Sequence, residues 1–364
     1  MKEFSDGNNH EEEPSSDEGF AERARMTYEE EQAASEREAI LENPDYFGLG
    51  EMEVIDGRVN IDTDKLCEEY GVEPELAERI KKEKIEACIE KYKKVIDSFG
   101  GKLKRARVCT VPDLSPFCLK NSRRGEGIEL SPVFVDQVKY MKQSGVSEIN
   151  LVASFADGDV GDKASMDLPN VDEYVEMIDK MLDQVGEEGI IISIGNETNA
   201  TIDSAPGEDG SVFPICKRIP PEEYGAFYRE VVGRLKQKYP GARFCTAGTA
   251  FCAPKYMAAM LDAIGDDSLI DVVDFHPYRN EVDEAWVGDG ETEMPGWSYG
   301  DYEDELLRIA KSHGAELTIG EVQFGGGDDP MTAAKARVGL REALRRSAEK
   351  GIKSNVWPRV GLPF

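Results

Sequence analysis

From about residue 50 onward, short apolar runs rich in β-branched residues alternate with amphipathic stretches of helical period. The apolar runs predict strands at residues 106–111, 149–155, 189–195, 243–250, 270–276, 316–321 and 352–357, with a weaker strand at 54–61. Between them the pattern predicts helices at residues 74–99, 132–144, 171–185, 220–239, 254–264, 301–313 and 331–350. The order is one strand followed by one helix throughout.

This strict alternation requires parallel strands that are buried on both faces. Eight such units close into a (β/α)₈ barrel, the TIM barrel, and the α/β pattern favours that fold here. The alternative is an open doubly wound sheet, whose Gly-rich phosphate turn follows the first strand. The chain has no such turn there, and its glycine run at 325–327 comes late and precedes two aspartates.

Charge separates the N-terminal region from the rest of the chain. The 364 residues carry 73 acidic and 43 basic side chains, a net charge of −30, which opposes binding to nucleic-acid phosphates or to an anionic membrane. Residues 1–60 hold 18 acids and 5 bases with few branched apolar residues. We therefore expect a disordered acidic tail at residues 1–45, open to a protein partner, and a barrel domain at 46–364.

Composition also bears on location and cofactors. No apolar run approaches the ~20 residues of a membrane span, and no secretory signal is visible, so we expect a cytoplasmic protein. The seven cysteines form no C-x-x-C pair, and the three histidines show no zinc spacing. From the sequence we therefore expect neither a cofactor nor a metal site.

In a (β/α)₈ barrel the active site lies at the carboxyl ends of the strands. The fourth predicted strand leads into Asn196 and Glu197, and the seventh ends in Glu321. Strands four and seven face each other across the barrel mouth. Two carboxyl groups placed in this way suit the cleavage of a glycosidic bond, in which one group donates a proton and the other attacks the anomeric carbon.

The set Ile194-Gly195-Asn196-Glu197, His276-x-Tyr278 and Ile319-Gly320-Glu321, followed by Trp357, resembles clan A of the glycoside hydrolases. That clan contains (β/α)₈ cellulases, mannanases and galactanases, and the resemblance covers roughly residues 100–364. It implies a retaining glycosidase that acts on a β-linked carbohydrate. It further implies that Glu197 is the acid/base, that Glu321 is the nucleophile, and that the substrate is bound by Asn196, His276, Tyr278 and Trp357.

Three features depart from the clan pattern. Thr198 follows Asn-Glu where the clan often has proline. The arginine expected near the end of strand two has no clear counterpart, since Arg107 comes near the start of that strand and the alternatives, Arg123 and Arg124, follow it. Only seven residues follow Trp357, so we expect the N-terminal region, residues 46–73, to cover the surface that a last helix would bury.

Two other functions remain open from the residues alone. The first is a barrel that binds carbohydrate or a protein without catalysis. The second is a metal-dependent lyase or isomerase, which would need His276 or the cluster Asp157, Asp159 and Asp162 to meet Glu197 at a metal ion.

Overall fold

A closed parallel barrel forms the centre of the molecule. The computed structural model describes residues 37–38, 40–49, 67–68, 70–109, 132–153, 168–199, 202–203, 214–216, 218–279, 297–324 and 341–356. Within these ranges the barrel strands are β1 (Phe47–Leu49), β2 (Arg105–Cys109), β3 (Glu148–Ala153), β4 (Ile190–Ile194), β5 (Arg243–Cys245), β6 (Val272–His276), β7 (Glu316–Phe324) and β8 (Lys353–Val356). Each pairs in parallel with the next, and β8 pairs with β1, which closes the barrel and confirms the predicted (β/α)₈ fold.

Helices surround the barrel and alternate with its strands. They are α1 (Pro74–Ser98), α2 (Pro132–Gln143), α3 (Val171–Val185), α4 (Pro221–Lys238), α5 (Pro254–Ile264), α6 (Tyr299–Ser312) and α7 (residues 341–349). Local sequence sets their ends: proline opens α1, α4 and α5, the Asn170 side chain caps α3, and Gly265 ends α5 in a left-handed conformation. Every helix in the described part of the chain is too short or too polar to cross a membrane.

The core lies between the helices and the strands, and it explains why the strands read as continuous apolar runs. All five residues of β4, Ile190–Ile194, are buried. The outer face of each strand packs against helices, and its inner face lies in the barrel interior. Both faces exclude water, so the side chains on both are desolvated. Among the polar side chains inside the barrel, Ser193 donates to Asn150 Oδ1 at 2.9 Å.

The first barrel strand differs from the prediction. It is β1, Phe47–Leu49, and not residues 54–61, which lie outside the described residues. Phe-Gly-Leu is too short to show a strand period, and Gly48 is needed because a Cβ there would lie 2.6 Å from the Arg105 Cβ.

Residues before β1 also pack on the barrel. Residues 37–42 include helical turns, and Ile40 is 1% exposed within the core. Arg37 donates to the Ser98 carbonyl at the end of α1, while Glu38 pairs with Arg341 of α7 at 2.8 Å. This segment therefore lies between α7 and α1, the place of an eighth helix in the ring, and the described packing begins before residue 46. Of the predicted covering region 46–73, residues 50–66 lie outside the described residues.

The amino-terminal end of the barrel is closed by charged side chains from the first residues of several strands. Glu148 of β3 forms ion pairs with Arg105 of β2, with Lys353 of β8 at 2.9 Å and with Arg243 of β5 at 3.4 Å. Arg243 also pairs with Glu316 of β7 at 2.9 Å. This ion-pair network connects β3 with β2, β5 and β8 directly and with β7 through Arg243. It lies at the amino-terminal end of the barrel, which contributes to stability, and not at the carboxyl end, which carries active sites.

Candidate active site

Four charged side chains meet inside the carboxyl end of the barrel. They are Arg107 of β2, Glu197 after β4, His276 at the end of β6 and Glu321 of β7. Each is at most 5% exposed. One carboxylate oxygen of Glu197, one of Glu321 and a ring nitrogen of His276 all lie within 4.8 Å of one another. The structure thus brings together the two glutamates that the sequence predicts.

The loop after β4 holds Glu197 in an unusual backbone conformation. Glu197 has φ of +46°, a left-handed geometry that a residue other than glycine keeps only where its surroundings enforce it. Asn199 fixes the loop by exchanging two hydrogen bonds with the backbone of Ala250, at 2.8 and 2.7 Å. The Tyr256 hydroxyl donates to the Ile219 carbonyl oxygen at 2.7 Å and lies 3.3 Å from Thr198 Oγ1, and the Ile219 N–H donates to the Thr198 carbonyl oxygen at 2.8 Å. Thr198, the departure from the clan pattern, is therefore part of the support for Glu197.

A bulge in β7 directs Glu321 into the barrel. The pairing of β7 with β8 shifts between Ile319, opposite Ser354, and Val322, opposite Val356, so two residues of β7 face one of β8. Gly320 and Glu321 are the two residues of this bulge. Bulges re-aim side chains beside active sites, and here β7 continues to Phe324 instead of ending at Glu321.

Arg107 joins the two halves of the site. Its Nη1 lies 2.6 Å from Glu321 Oε1, and its Nη2 donates to Asn196 Oδ1 at 3.1 Å. Asn196 is half-buried, so its amide stands at the boundary between the buried cluster and the barrel mouth. The sequence analysis set Arg107 aside because it comes near the start of its predicted strand, and that was wrong. The long Arg107 side chain extends from the middle of β2 to Glu321 and Asn196.

His276 lies between the carboxylates. Its Nδ1 is 2.8 Å from Glu197 Oε1 and 3.7 Å from Glu321 Oε1, and its Nε2 is 3.3 Å from Asp274 Oδ2. Burial lowers the pKa of His276, but the negative charges of Glu321 and Asp274 outweigh burial and raise the pKa to about 10. A carboxyl oxygen thus faces each ring nitrogen of His276.

Two glycines make room for this arrangement. A Cβ on Gly248 would lie 2.2 Å from His276 Nε2, and a Cβ on Gly320 would lie 2.0 Å from Asp274 Oδ2. Either methyl group would overlap the neighbouring side chain. Both positions therefore exclude larger residues as long as Asp274 and His276 keep these positions.

Asp274 is the residue of this cluster that the strand-end rule does not predict, because it lies two positions before the end of β6. It is 0% exposed. A signal was nevertheless present: Asp274 and His276 are two residues apart in Val-Val-Asp-Phe-His, so both side chains point to the same face of a buried strand. A carboxylate in an otherwise apolar strand needs a partner, and His276 is that partner.

Other predicted residues are only partly described. The backbone of Tyr278 pairs with Gln323 beside β7, while its side chain lies outside the described part. Trp357 and the alternatives to Arg107, Arg123 and Arg124, also lie outside the described residues, as does the aspartate cluster at 157–162.

Glu197, His276 and Glu321 are also the kind of side chains that hold a metal ion. Each offers one ligand atom in the close group described above. The Arg107 guanidinium, however, lies 2.6 Å from Glu321 Oε1, where it would face a divalent cation at short range. The donor set fits a metal in its residue types, but this resident cation opposes it, so we assign no metal to the site.

Comparison with known proteins gives similarity at the level of fold. The sequence matches no protein-family model and no curated protein. A family 44 endoglucanase from Clostridium thermocellum is 14% identical, with a TM-score of 0.45 and coverage of 70% of each chain. A family 128 exo-β-1,3-glucanase from Blastomyces gilchristii is 14% identical, with a TM-score of 0.40 over 71% of this chain and 82% of its own.

A third solved structure is a family 26 endo-β-1,4-mannanase from Cellulomonas fimi. It is 16% identical, with a TM-score of 0.45 over 70% of this chain and 57% of its own. All three of these solved structures are glycoside hydrolases. At these identities and TM-scores, the similarity decides neither the activity nor the substrate of this chain.

Proposed function

We propose that the protein is a retaining glycoside hydrolase that cleaves a β-linked glycan or oligosaccharide through Glu197 and Glu321. The observation that carries this proposal is the closeness of the two carboxyl groups, since one oxygen of Glu197 and one oxygen of Glu321 lie within 4.8 Å of each other. Retaining glycosidases hold their carboxyl groups about 5–5.5 Å apart, whereas inverting enzymes need about 6.5–9.5 Å to admit a water molecule between carboxylate and sugar.

In the first step Glu321 attacks and Glu197 donates. A carboxylate oxygen of Glu321 forms a bond to the anomeric carbon while the bond to the leaving oxygen breaks, and Glu197 gives its proton to that oxygen. Arg107, paired with Glu321 at 2.6 Å, supports the ionised form of the nucleophile and fixes its orientation.

In the second step the roles of Glu197 reverse. Glu197, now a carboxylate, takes a proton from a water molecule whose oxygen bonds to the anomeric carbon, and the ester bond to Glu321 breaks. The sugar leaves with its original anomeric configuration, and both glutamates return to their starting protonation states. No cofactor takes part in either step.

The substrate contacts follow from the same arrangement. Arg107 donates to Asn196 Oδ1, which turns the Asn196 amide nitrogen toward a sugar hydroxyl at the barrel mouth. His276 lines the subsite beside both glutamates. We assign to Tyr278 a hydrogen bond to the nucleophile and to Trp357 the apolar floor under the sugar ring, both on the clan resemblance alone.

The test is turnover of a panel of aryl β-glycosides and β-linked oligosaccharides by the parent and two variants. Glu321→Gln should lose activity on every substrate, by more than about 1,000-fold. Glu197→Gln should lose activity on oligosaccharides to a similar extent but lose much less on dinitrophenyl glycosides, whose leaving group needs no proton. Glu316→Gln, at the other end of β7, is the matched control and should retain activity.

Wild-type turnover by both Glu197→Gln and Glu321→Gln would contradict the proposal. A parent that binds a β-glycan but cleaves none of the panel would instead support a barrel that binds carbohydrate without catalysis.

A further inference from the structure

Two side chains of opposite charge compete for one nitrogen of His276. Asp274 Oδ2 lies 3.3 Å from Nε2, and Arg107 Nη2 lies 3.5 Å from the same atom. A carboxylate accepts hydrogen bonds, whereas a guanidinium donates them. Asp274 therefore requires a proton on Nε2, and Arg107 would require its absence, so the two partners imply different states of the ring.

Hydrogen bonding at the other nitrogen and at Arg107 favours Asp274. Nδ1 faces two acceptors, Glu197 Oε1 at 2.8 Å and Glu321 Oε1 at 3.7 Å. Arg107 is already engaged with Glu321 and with Asn196. A ring protonated on both nitrogens gives a donor to Glu197 and to Asp274, and a neutral ring leaves one of these two without a donor from His276.

The charge balance of the cluster leads to the same state. Among the described residues, the groups that face His276 include Arg107 from β2, Glu197 after β4, Asp274 from its own strand and Glu321 from β7. Even with Glu197 protonated, as the proposed first step requires, two buried carboxylates, Asp274 and Glu321, face one guanidinium, an imbalance that a second cation reduces. Burial and the nearby Asp274 raise the pKa of the Cys245 thiol on β5, so this neighbour stays neutral.

Packing prevents Asp274 from leaving its partner. The backbone of Gly320 in β7 passes against the Asp274 carboxylate, and the backbone of Gly248 passes against the His276 ring. Both side chains are 0% exposed, and Asp274 Oδ1 has no hydrogen-bond partner among the described residues. The pair is therefore held between Gly320 of β7 and Gly248 in the segment after β5, with Oδ2 facing Nε2.

We propose that Asp274 is a positioning residue that acts through His276: it accepts the Nε2–H bond, holds the ring as an imidazolium, and directs Nδ1–H at Glu197. The role in catalysis rests on the proposed function. With Nδ1–H on Oε1 of Glu197, the proton that Glu197 transfers is confined to Oε2, the oxygen left to face the leaving group. The raised pKa of His276 agrees with this arrangement.

The test is nitrogen-15 NMR of the folded protein labelled at histidine, which distinguishes protonated from unprotonated ring nitrogens. The chain has three histidines, His10, His276 and His313, so the resonances are assigned with single substitutions. In the parent protein, both ring nitrogens of His276 should remain protonated at pH 8. In Asp274→Asn the titration midpoint of His276 should fall by about 1–3 pH units, because an opposite charge in contact has been removed.

Asp267→Asn is the matched control. Asp267 Oδ1 lies 2.7 Å from His313 Nδ1 in a second aspartate–histidine pair, at the protein surface. This variant should leave the His276 titration unchanged. A neutral His276 with an unprotonated Nε2 in the parent protein would overturn the proposal, and so would equal midpoints in the parent and in Asp274→Asn.

Where Asp274→Asn fails to fold, Asp274→Ala gives the same comparison, and a neutral His276 in the parent protein still overturns the proposal. Because the spectra are read without substrate, a parent that cleaves no glycoside contradicts the proposed function, while a fall of the His276 midpoint in the variant still upholds the role of Asp274.

Discussion

Replacing Gly320 with alanine adds one methyl group where β7 passes the buried Asp274 carboxylate. The new Cβ would lie 2.0 Å from Asp274 Oδ2, and ordinary contact begins at roughly 3.4 Å, so one of the two atoms must move by roughly 1.4 Å. Asp274 is 0% exposed. The carboxylate therefore moves away from His276, or the β7 bulge that carries Glu321 is displaced.

The magnitude follows from these two consequences. Overpacking a filled interior costs about 1–3 kcal/mol. Losing a hydrogen bond between charged groups costs about 1.5–3 kcal/mol. We therefore expect Gly320→Ala to lower the free energy of unfolding by roughly 2.5–6 kcal/mol. Gly320 does not have a left-handed backbone conformation, so the added methyl group alone accounts for the predicted loss of stability.

The assay is urea-induced unfolding followed by circular dichroism, with a matched control and a double-mutant cycle. A Cβ on Gly233, in α4, meets no atom within 4 Å, so Gly233→Ala should instead stabilise by about 0.5–1 kcal/mol. In an Asp274→Ala background the cost of Gly320→Ala should fall by at least about 1 kcal/mol, because the clashing atom is gone. A cost for Gly320→Ala below about 1 kcal/mol, or one independent of Asp274, would refute the reasoning.

Three further predictions concern stability and use the same unfolding assay. Arg107→Met leaves the buried Glu321 carboxylate without its 2.6 Å partner and should cost about 3–5 kcal/mol; a near-neutral result would contradict the central place of this pair. Ile40→Ala should cost about 2–5 kcal/mol because Ile40 is 1% exposed, and a loss below about 0.5 kcal/mol would show that the segment before β1 does not stabilise the barrel. Burial raises the pKa of Glu316, but the hydrogen bond and positive charge of Arg243 lower the pKa by more than burial raises it. The folded-state pKa is therefore below the ordinary value. The advantage of the parent over Glu316→Gln should thus be present at about pH 7 and shrink as the pH falls toward about 3, and an unchanged difference would be evidence against this pair.

The elements that could be predicted are those whose burial leaves a pattern in the chain. The strand of Ile190–Ile194 is buried on both faces, so its sequence is an isoleucine-rich run, and its bounds lie within one residue of the predicted 189–195 at each end. The strand of Phe47–Leu49 is three residues long and contains glycine, so neither period nor propensity marks it. Its place in the barrel depends on pairing with β8, a contact between residues about 300 positions apart that local sequence does not encode.

The same distinction applies within the site. Glu197, Glu321 and His276 could be predicted because the carboxyl ends of parallel strands meet at one edge of the barrel. Arg107 was misjudged because the rule considers where a residue lies on its strand and ignores the length of its side chain. Asp274 was missed because a role that acts through His276 depends on a contact with a neighbouring side chain, here at 3.3 Å, that becomes visible only in three dimensions.

The central claim is that Glu321 forms a covalent bond to the sugar while Glu197, within 4.8 Å, moves the proton. The most direct test is to incubate the protein with a panel of mechanism-based 2-deoxy-2-fluoroglycosides, whose fluorine slows the second step more than the first, and to map the labelled peptide by mass spectrometry. We predict one fluorosugar per chain, attached as an ester to Glu321 and absent from Glu321→Gln. A label on another residue would contradict the account. So would cleavage of the corresponding unfluorinated glycoside with inversion of the anomeric configuration and no labelling of the protein.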